Sequence, residues 1–142
     1  MKVIWLYRIA AVLFILFAAG HTFGFLYFKP PTPEASAVFA AMNSVAFPVG
    51  SSSFSYGAFY RGFGLYVSAY LLFSAFLSWH LGGLAHNVPQ AIGYLGWIFL
   101  ALQLASLILS WVYFSAIPTI FSAVLAFCLA WAAGLVSLRQ AR

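Results

Sequence analysis

Four apolar runs, at about residues 3–28, 56–81, 91–114 and 118–138, leave this chain little choice of fold. Each reaches the roughly 20 residues that a helix needs to cross the hydrocarbon core of a bilayer. In lipid every backbone N–H and C=O has to be satisfied within its own segment, so each run is expected to be helical. The composition agrees: 65% of the residues are hydrophobic and 5% charged, where a soluble domain carries about 25% charged residues. Mean hydropathy is +1.04. The expected class is all-α, a four-helix transmembrane bundle formed by residues 1–142 as a single integral membrane domain.

Six Lys and Arg face one acid, Glu34, giving a net charge of +5. The basic residues are scattered and form no stripe, so nucleic acid is not an expected partner. They mark topology instead. Lys2 and Arg8 flank the N-terminal end and Arg139 and Arg142 the C-terminal end, which places both termini in the cytoplasm. A signal peptide would also begin with Lys2 and could end near AAG at 18–20, but Arg8 interrupts its apolar region, and cleavage is not expected. The 82–90 turn (GGLAHNVPQ) is then cytoplasmic, with Asn87 and Gln90 spaced as a cap for the third span. The 29–55 loop and the SAIP turn at 115–118 face outward, where Lys29 and Arg61 break the positive-inside pattern. Cys128, within LAFCLAW, reads as a small buried hydrophobe.

The outer loop carries helix signals. Thr32 is a candidate N-cap, Pro33 suits the first helical position and Glu34 the first turn. Ala35, Val38, Phe39, Met42 and Val45 recur at helical spacing until Pro48, so a short amphipathic helix is expected at about 33–47. It would lie on the membrane surface or fold over the bundle, with SSS at 51–53 as the hinge into the second span.

Helices in lipid associate through small and weakly polar residues. Gly20 and Gly24 (a G-x-x-x-G spacing), Gly57, Gly64 and Ser68, and Gln103 with Ser106 are the expected packing positions. Gln103 is expected to bond across helices. His21 and Arg61 stand apart. His21 is nine residues before Pro30 and so roughly 13 Å below that end, and Arg61 lies five residues after Tyr56; both belong to the outer half of the bilayer. Ionisable groups at that depth usually face a protein interior or a water-filled cavity. With Tyr56, Tyr60 and Glu34 they could form an outward-opening ligand pocket under the loop helix. Two plainer readings compete: Arg61 snorkels to the headgroups, and His21 makes a structural hydrogen bond. Trp5, Tyr7 and Arg8, and Trp111 with Tyr113, read as interfacial anchors.

No cofactor is expected. His80 lies about 28 Å along the helix from Arg61, at the other end from His21, so the two cannot ligate one haem in a monomer. A single-histidine pigment site at His21 remains open. No three or four ligands converge for a metal.

GHTFGF at 20–25, the following PPTPE, and FYRGFGL at 59–65 resemble a group of small four-span bacterial integral-membrane proteins over nearly the whole chain. The resemblance implies the architecture and a bacterial inner membrane, and brings no activity with it. Three functions are weighed. The first is a binding protein that holds a lipid or other amphiphile in the outward pocket, or an accessory subunit of a membrane complex, with membrane lipids, a second copy or a larger assembly as partners. The second is an enzyme on a lipid or isoprenoid, with His21 as general acid/base, Tyr60 or Tyr56 as proton donor and Arg61 as anion clamp. The third, a small transporter, ranks last because no span carries a midplane charge or a break.

Overall fold

The computed structural model describes residues 2–140. In chain order they form α1 (Lys2–Leu26), α2 (Pro33–Ser44), β1 (Ala46–Val49), β2 (Ser52–Ser55), α3 (Tyr56–Asn87), a 3-10 turn (Pro89–Ile92), α4 (Leu95–Tyr113) and α5 (Ala116–Gln140). Helices α1, α3, α4 and α5 are each long and apolar enough to cross a membrane. Arg142, expected to mark the C-terminal flank, lies outside the described residues.

The chain divides into two units, one of Met1–Phe17 with Leu71–Arg142, the other of Ala18–Tyr70. The first unit holds a core in which Tyr7, Phe14, Leu81, Leu125 and Leu129 are fully buried. Phe14 stacks on Phe99 at 5.7 Å and Phe17 on Phe121 at 5.2 Å. Small residues bring the helices together: a Cβ at Gly96 would stand 3.0 Å from the Tyr7 hydroxyl and 3.5 Å from Ala133 Cβ. Buried Gln103 donates from Nε2 to the Ser122 carbonyl of α5 at 3.2 Å, and Ser110 lies 3.3 Å from Ser122 Oγ. Ser106 donates back to the Leu102 carbonyl of its own helix at 3.1 Å.

Helix α3 runs past the expected end at Leu81 through Asn87. Turn chemistry in GGLAHN pointed to a loop, but Leu81, Gly82 and Ala85 are buried on one face, and packing overrides the low helix propensity of glycine. The helix stops at Val88, where the following Pro89 disfavours helical geometry. Asn87 is therefore the last residue of α3 and caps nothing; α4 starts at Leu95, with Tyr94 as a cap that makes no side-chain bond.

In the second unit α2 starts as its sequence implies. Thr32 is extended, and its Oγ1 accepts from the Ala35 amide at 3.2 Å. The helix ends at Ser44, short of residue 47, because residues 46–49 pair antiparallel with 52–55, Val49 facing Ser52. The Gly50–Ser51 loop closes this hairpin, with Gly50 at φ +59°, a conformation that tight two-residue turns require and glycine adopts freely. Of the SSS segment, where a hinge was expected, Ser51 lies in the turn and Ser52 and Ser53 are strand. Pro48 fits because both strands are edges.

Candidate functional site

Arg61 and Tyr60, one turn into α3, form one wall of a cleft in the second unit. The cleft has a volume of about 250 Å³ and is completed by Phe25 and Leu26 at the end of α1, Phe28 just beyond it, and Phe39 and Asn43 of α2. A second, more apolar cleft of about 450 Å³ shares Phe28, Phe39 and Tyr60 with it and continues along Ala35, Val38 and Met42. None of the α2 residues is buried, so the apolar face of that helix walls both clefts and fills neither.

Helix α2 and the start of α3 meet closely. Gly57 is buried against Asn43: a Cβ there would lie 3.2 Å from Asn43 Cα and collide with its side chain. Asn43 itself donates from Nδ2 to the Phe39 carbonyl at 2.7 Å, which fixes its amide at the cleft wall. Phe25 is held from three sides. It stacks on His21 at 5.9 Å, tilts against Tyr60 at 5.4 Å, and lies over Gly64, where a Cβ would stand 2.5 Å from its Cζ.

Beneath Phe25 runs a chain of hydrogen bonds. His21 Nε2 lies 3.1 Å from the Gly64 carbonyl, which can only accept, so Nε2 carries the proton. Thr22 Oγ1 donates to the Ala18 carbonyl at 2.7 Å and sits 2.7 Å from Ser68 Oγ. Ser68 Oγ also donates to the Gly64 carbonyl at 3.3 Å, and the two lone pairs of that oxygen accommodate both Ser68 and His21. The sequence-expected structural hydrogen bond at His21 is thus identified, its partner being a backbone carbonyl of α3. A pigment at His21 would be held through Nδ1, since Nε2 is engaged with the Gly64 carbonyl.

The residues expected to share a pocket separate into two sets. Arg61 and Tyr60 line the cleft. His21 lies behind Phe25, and Tyr56 turns to Phe47, at 4.6 Å between ring centroids. Glu34 is exposed at the first turn of α2, and its carboxyl is held below the ordinary value by its own backbone amide first and the Thr32 side chain second. Neither Glu34 nor any other described residue forms an ion pair or hydrogen bond with Arg61. At Gly20 and Gly24 a Cβ would meet nothing within 4 Å. These glycines lie on the exposed side of α1, whereas Gly57 and Gly64 are where close approach occurs within this unit. Asn43, Phe25 and Phe28 were not anticipated. Asn43 was within reach, being one turn beyond Phe39 on the same face of α2.

Among the described residues no three His, Cys, Asp or Glu side chains come together. No family model, curated protein or solved structure matches the chain, so the site has to be read from its own chemistry.

Proposed function

We propose that this is an integral membrane protein that holds a lipid or other amphiphile with an anionic head, the head on Arg61 and the apolar part along Phe28, Phe39 and Met42. One observation carries the reading: an Arg with no counter-ion among the described residues lines an aromatic cleft that the neighbouring helix leaves unfilled. A guanidinium offers a planar fork of donors that matches carboxylate or phosphate, and Asn43 sets a polar amide beside it. The cleft of about 450 Å³ is of the size small-molecule sites have and is largely apolar, as such sites are, and the Arg61 cleft of about 250 Å³ shares its wall. Lys2, Arg8 and Arg139 at the other ends of the spans favour cytoplasmic termini in a bacterial inner membrane, with the cleft facing outward. Service as an accessory subunit would use the same surface for a partner's anionic group.

The enzymatic reading has less support. His21 as general acid/base would need a path to the proton it moves, yet Phe25 makes ring contact with both His21 and Tyr60 and His21 is not on the cleft wall. A transporter would need a broken span or a midplane charge, and α1, α3, α4 and α5 each run unbroken.

The test is mass spectrometry of small molecules co-purifying with wild type, Arg61→Ala and Arg61→Lys, each checked for folding. One defined amphiphile bound stoichiometrically by wild type, reduced in Arg61→Lys and missing from Arg61→Ala, is the expected result. Bulk phospholipid alike in all three would leave Arg61 as a snorkelling residue and end the proposal.

A further inference from the structure

A different cation is clasped by two tryptophans in the other unit. Trp5 precedes Arg8 by one helical turn on α1, and α3 brings Trp79 against it. The guanidinium carbon lies 5.8 Å from the centre of the Trp5 ring and 4.9 Å from that of Trp79, within the range where a ring face attracts a cation. Backbone approach sets this up. A Cβ at Gly82 would lie 3.3 Å from Tyr7 Cβ, 3.5 Å from the Ile4 carbonyl and 3.9 Å from Arg8 Cγ, so the missing side chain lets α3 close on α1 where the arginine leaves the helix.

The rings answer the charge but leave the hydrogens. A guanidinium carries five N–H donors and no acceptor, and a ring face is no substitute for an oxygen. No described residue accepts from Arg8 or from the indole N–H of Trp5 or Trp79. The chain's single acid, Glu34, belongs to the other unit. The cluster therefore consists of donors alone around a fixed positive charge, half-buried at Arg8, with Trp5 59% and Trp79 55% exposed. Tryptophan at the end of a span belongs to the headgroup level of a membrane, where the abundant oxyanion is a phosphate diester.

We infer that Trp5, Arg8 and Trp79 form a binding site for a phosphate group, supplied by the headgroup of a membrane phospholipid. The fork takes two phosphate oxygens, the indole N–H groups offer further donors, and the acyl chains run down the apolar surface of α1 and α3. A snorkelling arginine would extend to wherever phosphate lies; this one is held in place beforehand, so it selects one lipid over the bulk.

The test uses full-length protein in the Arg61→Ala background, so that the cleft of the other unit contributes nothing. Phosphatidylglycerol is titrated and retention read by native mass spectrometry, with inorganic phosphate added in a parallel arm. Expected is one saturable lipid, held about tenfold less tightly by Arg8→Lys, which keeps the charge and loses the fork. Trp79→Leu, which removes ring and donor together, should weaken it as well and serves if Arg8→Lys does not fold. Retention that millimolar inorganic phosphate leaves intact supports the lipid as source; displacement by inorganic phosphate alone supports a site for phosphate but overturns the lipid as its source. Equal retention by all variants, or no saturable binding in either arm, overturns the site.

Discussion

Gly64→Ala tests whether the cleft works as its geometry implies, because that position controls Phe25. A Cβ there would stand 2.5, 2.6 and 2.7 Å from three carbons of the Phe25 ring. Unbonded carbons settle at about 3.5–4.0 Å, so the ring has to retreat by about 1 Å. Its neighbours are His21 and Tyr60, and the ring is itself a wall of the Arg61 cleft; any retreat loosens those contacts or narrows the cleft. Overpacking costs about 1–3 kcal/mol, while replacing helical glycine by alanine returns up to about 1 kcal/mol. The net loss in stability should therefore be about 0–2 kcal/mol, small enough to leave a folded protein whose cleft is reshaped. Gly62→Ala is the control: two residues away on α3, its Cβ would meet nothing within 4 Å, and it should match wild type or exceed it slightly in thermal stability. Both variants are purified alongside wild type, melted, and analysed for the co-purifying amphiphile. Gly64→Ala should fold and lose most of that amphiphile, while Gly62→Ala keeps it. A Gly64→Ala protein with wild-type melting and wild-type occupancy would refute the assignment of Phe25 as a cleft wall.

Two further predictions concern groups away from the cleft. Gln103 is 1% exposed, makes one bond from Nε2 to Ser122, and leaves Oε1 without a partner. Gln103→Leu removes a bond and an orphaned acceptor together and should change stability by no more than about 1 kcal/mol, whereas Gln103→Ala leaves a cavity and should cost about 2 kcal/mol or more; equal losses in reversible unfolding in mixed micelles would contradict this. Glu34 has a folded pKa below its ordinary value, through its own amide and then Thr32. Its contribution to α2 is therefore complete above the unfolded pKa and is lost as pH falls through the folded one. Protection factors in α2, with the intrinsic exchange rate divided out, should fall on acidification across that window, and Thr32→Ala should blunt the step; protection independent of pH there would rule the linkage out.

The four long helices were legible because lipid imposes one requirement, intra-segment hydrogen bonding over about 20 apolar residues, and the sequence meets it four times. The start of α2 was legible for a local reason too, since Thr32, Pro33 and Glu34 act through neighbours in sequence. What depended on distant partners was not. GGLAHN reads as a turn until Leu81, Gly82 and Ala85 are seen buried. Gly20 and Gly24 carry the stronger packing signature, yet close approaches fall at Gly57, Gly64, Gly82 and Gly96, because spacing says which residues are small and not which face meets a neighbour. The hairpin was hidden for the same reason: Ser52, Ser53 and Ser55 have little strand preference and are strand because Ala46–Val49 lies opposite.

Arg8 and Arg61 show how far one residue type can be read. Each interrupts an apolar run, and neither finds a carboxylate among the described residues, whose one acidic side chain is engaged at the cap of α2. The difference comes from what surrounds the charge. At Arg8 two indole rings hold the cation and add only donors, which suits a compact oxyanion that brings its own acceptors. At Arg61 an open cleft and an amide lie alongside, which suits a head joined to an apolar body. An arginine in a membrane span states that an anion is needed; the aromatic and amide groups packed beside it decide what else that anion must carry.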